Sequence, residues 1–364
     1  METGRISNRQ LNFVMSLVLI SSVIIFMPQI AAREVENDAW ITALVATIWG
    51  IIIVAVIAAL NKRFPGYTFI QYLPIILGKP LGTIVGFMYA FWFVTVGAFV
   101  LRYFGMFLNI TILPETPVAV FSVTLMGLAW YAMRNGLESW VRVGEIILPI
   151  VIITILAIVF LSFNIADPRR ILPIGEHSLG SILSTSLVSG SWRGEILLTA
   201  MFLPYLADSK KVSLNLIVGM VLVGLVLGAT ELATTAVFGG VNTGNHEFPY
   251  FSLAKVISIG TVIDRFEVLV VLTWVLGIFI KMCAFLYCSV LSTAQVFGFN
   301  NYQFLVFPVV ILYIALSDNM IENVAQGTYF LSNIWAGYGL LTFEMVIPLL
   351  IWLVAVIRRK RISL

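Results

Sequence analysis

Seven ionisable residues lie inside stretches of the chain that are otherwise apolar enough to cross a membrane. They are Arg102, Glu145, Arg193, Glu195, Glu231, Lys281 and Glu344. Each costs roughly 3 kcal/mol at the centre of a membrane helix, and leaving all of them in lipid would cost about 20 kcal/mol, more than the net stability of a domain. We therefore expect them to pair with one another or to face a cavity. Glu145 is expected to pair with Arg142, one helical turn away.

Lys281 is the most informative of these residues, because it lies near the middle of an apolar stretch and has no acidic neighbour on its own predicted helix. Burial favours the uncharged form of an ionisable group, so a buried lysine or carboxylate can exchange a proton near neutral pH. That chemistry suits a proton-coupled carrier, but a fixed ion pair would stabilise helix packing equally well. Both interpretations stay open for the other candidate coupling groups, Arg193, Glu195, Glu231 and Glu344.

The segment SGSWRGE (189–195) places glycines, serines and two charges within a predicted membrane helix. Because Gly and Ser are poor formers of helix interiors, we predict that the helix stops and restarts here. The free N–H groups of the second half-helix suit a carboxylate and the free carbonyls of the first suit an ammonium, so a zwitterionic amino acid fits both ends. The residues predicted to contact this ligand are Ser189, Gly190, Ser191 and Trp192, although Trp192 fits ordinary packing equally well. Arg193 and Glu195 should point to different sides of the chain.

Composition and hydropathy indicate the elements that position these residues. The chain has 364 residues, of which 60% are hydrophobic and 11% charged, against about 25% charged in soluble domains. Apolar stretches of roughly 20 residues predict an all-α polytopic membrane protein rather than a β-barrel. The ten predicted transmembrane helices are 10–31, 40–60, 81–108, 118–133, 140–163, 181–206, 212–238, 266–297, 304–316 and 335–357.

The distribution of lysine and arginine sets the orientation in the membrane. With the N-terminus inside, the basic tail RRKR (358–361) and most other basic residues fall on the inner side. Both termini are therefore predicted to be cytoplasmic in a multi-pass protein of the cell membrane, in contact with membrane lipid. The first apolar stretch is too long for a signal-peptide core, and we expect it to be a retained span.

A polar connector with two prolines, residues 164–180, lies between predicted spans five and six. It suggests a single membrane domain built from two repeats, 10–163 and 181–357, with opposite topology. In inverted-repeat transporters the substrate lies at the midplane, where corresponding helices are interrupted. Span one should then be broken like span six, at Ser21 and Ser22. The predicted ligand site is completed by Val23 beside that break, by Thr95 and Phe99 of span three, and by Lys281.

Several classes of function are not expected from this sequence. Cys283 and Cys288 point in different directions on one predicted helix, so neither a disulfide nor a metal site is expected. The net charge of +3 and the short basic clusters make nucleic acid an unexpected partner. The chain has no phosphate-binding loop, HExxH or CxxC motif, so we expect no cofactor, no metal and no catalytic activity.

Five groups of short motifs, in order along the chain, resemble the B subunits of bacterial spore germinant receptors, the endospore germination permease family of the amino acid–polyamine–organocation superfamily. They are PQIAAR (28–33) with NDAW (37–40), KRFPG (62–66), GE (194–195) with FLPY (202–205), DRFE (264–267) with Trp274, and Pro348 before the basic tail. The resemblance covers nearly the whole chain. It departs from the family in span one, where we expect a glycine near the unwound point and find Ser21 and Ser22.

The resemblance implies a ten-helix protein of the spore inner membrane that recognises a small nutrient, often an amino acid. It also implies two partners, an A subunit and a lipoprotein C subunit. The residues alone would suggest transport, and the alternative function is a proton-coupled amino acid permease with Glu195 or Lys281 as the coupling group. An ion or water channel subunit is a third possibility.

Overall fold

The computed structural model describes residues 4–258 and 265–362, so Asp264 of the DRFE motif lies outside the described residues. Within these ranges the chain is helical. The helices are α1 (Asn8–Val35), α2 (Ala39–Arg63), α3 (Phe69–Leu77), α4 (Lys79–Thr111), α5 (Val118–Arg134), α6 (Leu137–Ser162), α7 (Leu179–Gly194), α8 (Thr199–Phe202), α9 (Val212–Phe238), α10 (Gly240–Asn245), α11 (Pro249–Val256), α12 (Glu267–Phe297), α13 (Gln303–Met320), α14 (Val324–Phe330) and α15 (Ile347–Ile357).

Among the described residues, seven helical stretches are long and apolar enough to cross a membrane. They are Asn8–Arg63, Lys79–Thr111, Leu137–Ser162, Val212–Phe238, Glu267–Phe297, Gln303–Met320 and Val324–Ile357. The first contains both α1 and α2, which are joined by a single 3₁₀ turn, Glu36–Asp38. The chain is thus a multi-pass membrane protein, while ten crossings in two inverted repeats remain a prediction.

Span one is not broken as predicted, because Asn8–Val35 forms one α-helix. The Ser21 hydroxyl donates to a carbonyl one turn earlier, and the Ser21 carbonyl accepts the Trp274 indole N–H at 2.5 Å. Ser21 also packs against Gly277, where an added Cβ would lie 2.9 Å from the serine hydroxyl oxygen. Small residues allow membrane helices to approach closely. The prediction of a break at Ser21 and Ser22 is therefore wrong, since Ser21 serves contact between α1 and α12.

The last predicted span contains a stretch of unusual helix. A π-helical segment, Leu331–Val346, separates α14 from α15. At its end the Ile347 N–H bonds the carbonyl of Thr342, five residues earlier, instead of the four of an α-helix. π-Helical geometry is rare and often occurs at functional sites. Glu344 lies within this segment.

The predicted pair between Glu145 and Arg142 does not form. The Glu145 carboxylate instead accepts hydrogen bonds from Arg9 and Gln10, both at 2.8 Å. Arg142 pairs with Glu138 at 3.0 Å, one turn earlier on α6. The nearest basic residue in the sequence was therefore the wrong partner, because α1 brings Arg9 against α6.

The N-terminal strap, residues 5–8, binds the end of predicted span six. The Ile6 N–H donates to the Tyr205 carbonyl at 3.0 Å, and the Ala207 N–H donates to the Ile6 carbonyl at 2.9 Å. The Arg5 guanidinium adds a hydrogen bond at 2.9 Å to a carbonyl in the same stretch. The start of the chain and the end of span six are therefore joined by backbone as well as side-chain hydrogen bonds.

The connector between the predicted halves is docked onto the turn that joins α1 and α2. The Asp38 carboxylate accepts the N–H of Gly175 at 2.6 Å and that of His177 at 3.1 Å, and the His177 ring lies 3.2 Å from it. Nearby, Asn37 donates to the Leu172 carbonyl at 2.9 Å. Burial alone would raise the pKa of the Asp38 carboxyl, but its hydrogen bonds to Gly175 and His177 lower it below the ordinary value.

Replacing Asp38 with Asn should remove one source of acid sensitivity. An aspartate whose pKa is lowered on folding stabilises the native state above the unfolded pKa of about 3.9, and this contribution is lost as pH falls through the lower folded value. We expect Asp38→Asn to lower the free energy of unfolding by about 1 kcal/mol at pH 7. The loss is small because Asn keeps one of the two acceptor oxygens. Its melting temperature should also fall less steeply than that of wild type on acidification. The exposed Asp208→Asn is the control, and equal slopes for Asp38→Asn and wild type would contradict the assignment.

Candidate ligand site and buried charges

Span six changes helix type where the sequence predicted an interruption. α7 ends at Gly194, a 3₁₀ turn follows at Glu195–Leu198, and α8 and a second 3₁₀ turn, Leu203–Tyr205, complete the span. Gly194 has φ −64° and ψ −23°, so the backbone tightens within the right-handed helical region rather than unwinding. The change to a 3₁₀ turn interrupts the regular α-helical hydrogen bonding next to Glu195.

Two glycines of this segment allow close contact with other helices. A Cβ on Gly190 would lie 2.7 Å from the Trp49 ring of α2 and 3.1 Å from Leu340 of the π-helical segment. A Cβ on Gly194 would overlap the carboxylate of Glu344. The glycines of SGSWRGE are therefore required by packing on both sides of α7, and Gly194 brings the backbone directly against a carboxyl group.

Lys281 and Glu195 form a buried ion pair at the change of helix type. The Lys281 ammonium lies 2.6 and 2.9 Å from the two carboxylate oxygens, and both side chains are 0% exposed. The ammonium also lies 4.7 Å from the centre of the Trp192 ring and 5.6 Å from that of Phe285. Two oxygens and two aromatic faces thus surround the charge, as a buried lysine requires.

Arg193 points to the other side of the chain, as expected for residues that flank Gly194. Its guanidinium donates to the Ser189 hydroxyl and to the Ala43 carbonyl of α2, both at 3.3 Å. It interacts electrostatically with Glu231 of α9, although the two form no ion pair within 4.0 Å in the described residues. The buried charges therefore fall into two groups, one on each side of α7.

Glu231 and Glu344 are buried without hydrogen-bond partners. Their side chains are 1% and 0% exposed, and none of their four carboxylate oxygens accepts a hydrogen bond from a residue that the structure describes. Glu344 lies against Gly194, close to Glu195 and Lys281. Unpartnered buried carboxyl groups are costly and often mark function.

A column of aromatic rings leads away from Lys281 toward a polar cavity. Trp192 lies 5.2 Å from Trp335, Trp335 stacks 5.9 Å from Phe99, and Phe99 lies 5.1 Å from Tyr103. We call these four rings the aromatic column. The indole N–H groups of Trp192 and Trp335 are buried and donate no hydrogen bond within the described part of the chain.

The cavity at the far end of the column has a volume of about 430 Å³. It is lined by Gln29, Arg33, Glu34, Asn245, Glu247, Val324, Ala325, Thr328, Tyr329, Ser332 and Asn333. The Tyr103 hydroxyl donates to the carbonyl of Val324, a lining residue, at 3.4 Å, so the column begins at the cavity wall. The lining carries both charges and many hydrogen-bonding groups, which suits a small polar or zwitterionic molecule.

The structure brings some of the predicted contact residues together. Trp192 and Phe99 belong to the aromatic column, and Lys281 lies at its inner end. Thr95 sits beside the column, where its hydroxyl bonds its own helix at 2.9 Å and the hydroxyl of Tyr338. Lys281 with residues of spans three and six is therefore a real cluster.

Other predicted residues lie elsewhere or serve packing. Ser191 donates to the Val188 carbonyl of its own helix at 2.7 Å. Ser22 and Val23 are buried in the continuous α1, and the Ser22 hydroxyl has no hydrogen-bond partner among the described residues. Trp335, a link in the column, was not predicted, because aromatic residues of membrane helices are as common in packing as in binding.

Solved structures show the class to which this fold belongs. The fold matches that of MhsT, solved with L-phenylalanine, with a TM-score of 0.67, 10% identity and coverage of 95% of this chain and 98% of that one. It also matches Mhp1, a nucleobase-cation-symport-1 family transporter solved closed with bromovinylhydantoin, with a TM-score of 0.61, 15% identity and coverage of 97% and 80%. This protein is therefore a helical membrane protein with a transporter fold.

Within that class, the chain belongs to the spore germination protein family, whose model matches residues 5–323. Spore germination protein KB of Bacillus subtilis (strain 168) is 28% identical over 99% of this chain and 97% of its own. Spore germination protein XB of Bacillus anthracis is 25% identical over 93% and 97%. Spore germination protein B2 of B. subtilis (strain 168) is 22% identical over 98% of both. The expected family is thereby confirmed.

Proposed function

We propose that this chain is the germinant-sensing subunit of a spore germination receptor and binds a small molecule, an amino acid, at the centre of its transporter fold. The observation that carries the proposal is the buried Lys281–Glu195 pair at the point where span six changes helix type. An ammonium and a carboxylate side by side match the two charges of a zwitterion. Family membership supports a role in germination rather than in nutrition.

The surroundings of the pair support a closed state of such a site. The buried charges of the centre are at most 1% exposed, and the aromatic column separates them from the polar cavity. A ligand that enters the cavity would reach Lys281 only after Trp192 and Trp335 move. Binding would then be coupled to a change of conformation, which is what a receptor needs.

The remaining parts of the proposal concern architecture and partners. We take the membrane domain to be two inverted repeats of five spans, 10–163 and 181–357, with both termini in the cytoplasm and the protein in the spore inner membrane. The partners are an A subunit and a lipoprotein C subunit. The match of residues 5–323 to the spore germination protein family supports the place in a germination receptor.

A thermal-shift screen of amino acids, sugars and nucleosides on the purified full-length protein tests the ligand site. A ligand at 100 times its Kd stabilises the native state by about 2.7 kcal/mol, which gives a measurable rise in melting temperature. The rise should be lost in Gly190→Leu, because a side chain there collides with Trp49.

The matched control is Gly127→Leu, because a Cβ on Gly127 meets no atom within 4 Å. It should keep the ligand-induced rise. A rise retained in Gly190→Leu would place the ligand away from α7. Should Gly190→Leu fail to melt cooperatively, Trp192→Phe tests the same site from the other side.

The transporter fold favours a second function, a proton-coupled amino acid permease. Uptake of labelled amino acids into liposomes separates the two, because accumulation driven by a pH gradient would overturn a pure sensor. The closed, buried centre offers no support for an ion or water channel subunit.

A further inference from the structure

The buried centre holds one carboxyl group more than it holds cations. Apart from Asp38, whose carboxylate is hydrogen-bonded in the turn between α1 and α2, the buried cations in the described part of the spans are Arg193 and Lys281, and the carboxyl groups exposed by at most 1% are Glu195, Glu231 and Glu344. With all five ionised the centre would carry one uncompensated negative charge. An unpaired charge in such a place costs several kcal/mol, so one carboxyl group must be neutralised.

Glu344 is the carboxyl group left over when the others are assigned. Lys281 bonds both oxygens of Glu195, and Glu231 interacts electrostatically with Arg193, although no hydrogen bond joins them in the described residues. Glu344 accepts no hydrogen bond from the described residues, and the charge nearest to it of its own sign is Glu195. Lys281 is thus already satisfied by a closer carboxylate.

No group that faces Glu344 is free to neutralise its carboxylate, which leaves a proton as the neutralising species. The titratable groups are Glu195 after α7, Lys281 of α12 and Tyr89 of α4. The Tyr89 hydroxyl donates to the Phe343 carbonyl at 2.6 Å, so it does not stabilise the carboxylate. Glu344 is 0% exposed and touches Gly194 so closely that a single added carbon would overlap it.

We propose that Glu344 carries a proton in this closed structure and releases it when the π-helical segment moves away from Gly194. The O–H bond of the carboxylic acid breaks, the proton passes to water that enters the opened centre, and the carboxylate becomes a counter-ion for the ammonium of the ligand. The last step rests on the proposed function, but the protonated closed state does not.

Infrared spectroscopy of the full-length protein in nanodiscs tests the closed state without any ligand. A protonated carboxylic acid has a carbonyl-stretch band that a carboxylate lacks. Wild type at neutral pH should show this band from a buried group, and Glu344→Gln should lose it. The matched variant Glu231→Gln should keep it, because the positive charge of Arg193 favours the ionised form of Glu231. A band kept in Glu344→Gln, or absent from wild type, would overturn the proposal.

Melting temperatures give a second, independent measurement. Above the unfolded pKa of Glu344, the folded protein would hold one more proton than the unfolded chain. The protonation of Glu344 therefore destabilises the native state as pH rises, and Glu344→Gln should reduce the pH dependence of the melting temperature. Below the unfolded pKa of about 4.3 Glu344→Gln should melt like wild type, since the amide mimics the neutral acid, and at neutral pH it should melt higher, because only wild type must take up a proton to fold. A loss as large as that of Lys281→Met would show instead that Glu344 is ionised.

Removal of sodium tests whether a proton or a metal cation neutralises Glu344. Exchange of sodium for a bulky organic cation at constant ionic strength should leave the melting temperature of wild type unchanged. A sodium-dependent rise that Glu344→Gln abolishes would overturn the proton assignment. Failure of the ligand screen, by contrast, would leave the infrared band in place and count only against the proposed function.

Discussion

Replacing Lys281 with Met should destabilise the protein by about 3–5 kcal/mol, because the substitution leaves the Glu195 carboxylate buried and without its partner. The pair is 0% exposed on both sides and joined by hydrogen bonds of 2.6 and 2.9 Å, so solvent cannot screen or replace it. The free energy of unfolding in detergent, obtained from denaturant titration, gives the measurement.

Two further variants test whether the loss comes from the ion pair. The double variant Lys281→Met with Glu195→Leu should recover most of the loss, since replacing both partners by apolar residues removes the buried charge altogether. The control is Arg142→Gln, which breaks the exposed pair with Glu138 and should cost at most about 1 kcal/mol. Additive losses in the double variant would contradict a direct pair.

Replacing Gly194 with Ala should destabilise the protein by about 2–3 kcal/mol, although alanine is the better helix former by about 1 kcal/mol. The sign is decided by packing, because the new Cβ would overlap the Glu344 carboxylate and lie 2.9 Å from the Cβ of Glu344. Both the melting temperature and the ligand-induced rise in the thermal-shift screen should fall.

Gly337→Ala is the control for this substitution. Gly337 belongs to the same π-helical segment as Glu344, yet an added Cβ meets nothing within 4 Å, so the change should be neutral or slightly stabilising. Combining Gly194→Ala with Glu344→Ala should restore part of the stability, since one close contact remains. A Gly194→Ala protein as stable as wild type would show that α7 and the π-helical segment can separate at little cost.

Hydropathy predicted the positions of the helices well, because a membrane span must be long and apolar whatever its neighbours are. Span three, predicted at 81–108, is α4 at Lys79–Thr111, and span seven, predicted at 212–238, is α9 at Val212–Phe238. The stop and restart predicted at SGSWRGE is not found, because Gly194 still belongs to α7 and only the helix type changes at Glu195–Leu198.

The break in span one could not be judged from local composition. Serine both weakens a helix and permits close packing, and only the position of Trp274 and Gly277 beside Ser21 decides between the two. These partners are more than 250 positions away in the sequence. The π-helical geometry around Glu344 likewise depends on hydrogen-bond register, which composition does not reveal.

The pairing of the buried charges could not be predicted from the sequence either. The sequence shows how many charges must be neutralised, because the cost of burial applies to each of them. It does not show that Lys281 reaches Glu195, 86 positions away, while Arg193 turns toward α2 and α9. The choice among carboxylates follows from which helices pack together.

The N-terminal strap gives the centre of the molecule a mechanical connection to its surface. Ile6 is fixed to Tyr205 and Ala207 by two backbone hydrogen bonds, and these residues end the span that begins with α7 and carries Glu195. A displacement of that span must either pull residues 5–8 along or break those bonds. A conformational change at Lys281 would therefore displace a neighbouring protein that is bound to the strap. Such a signal needs no transport of a solute across the membrane.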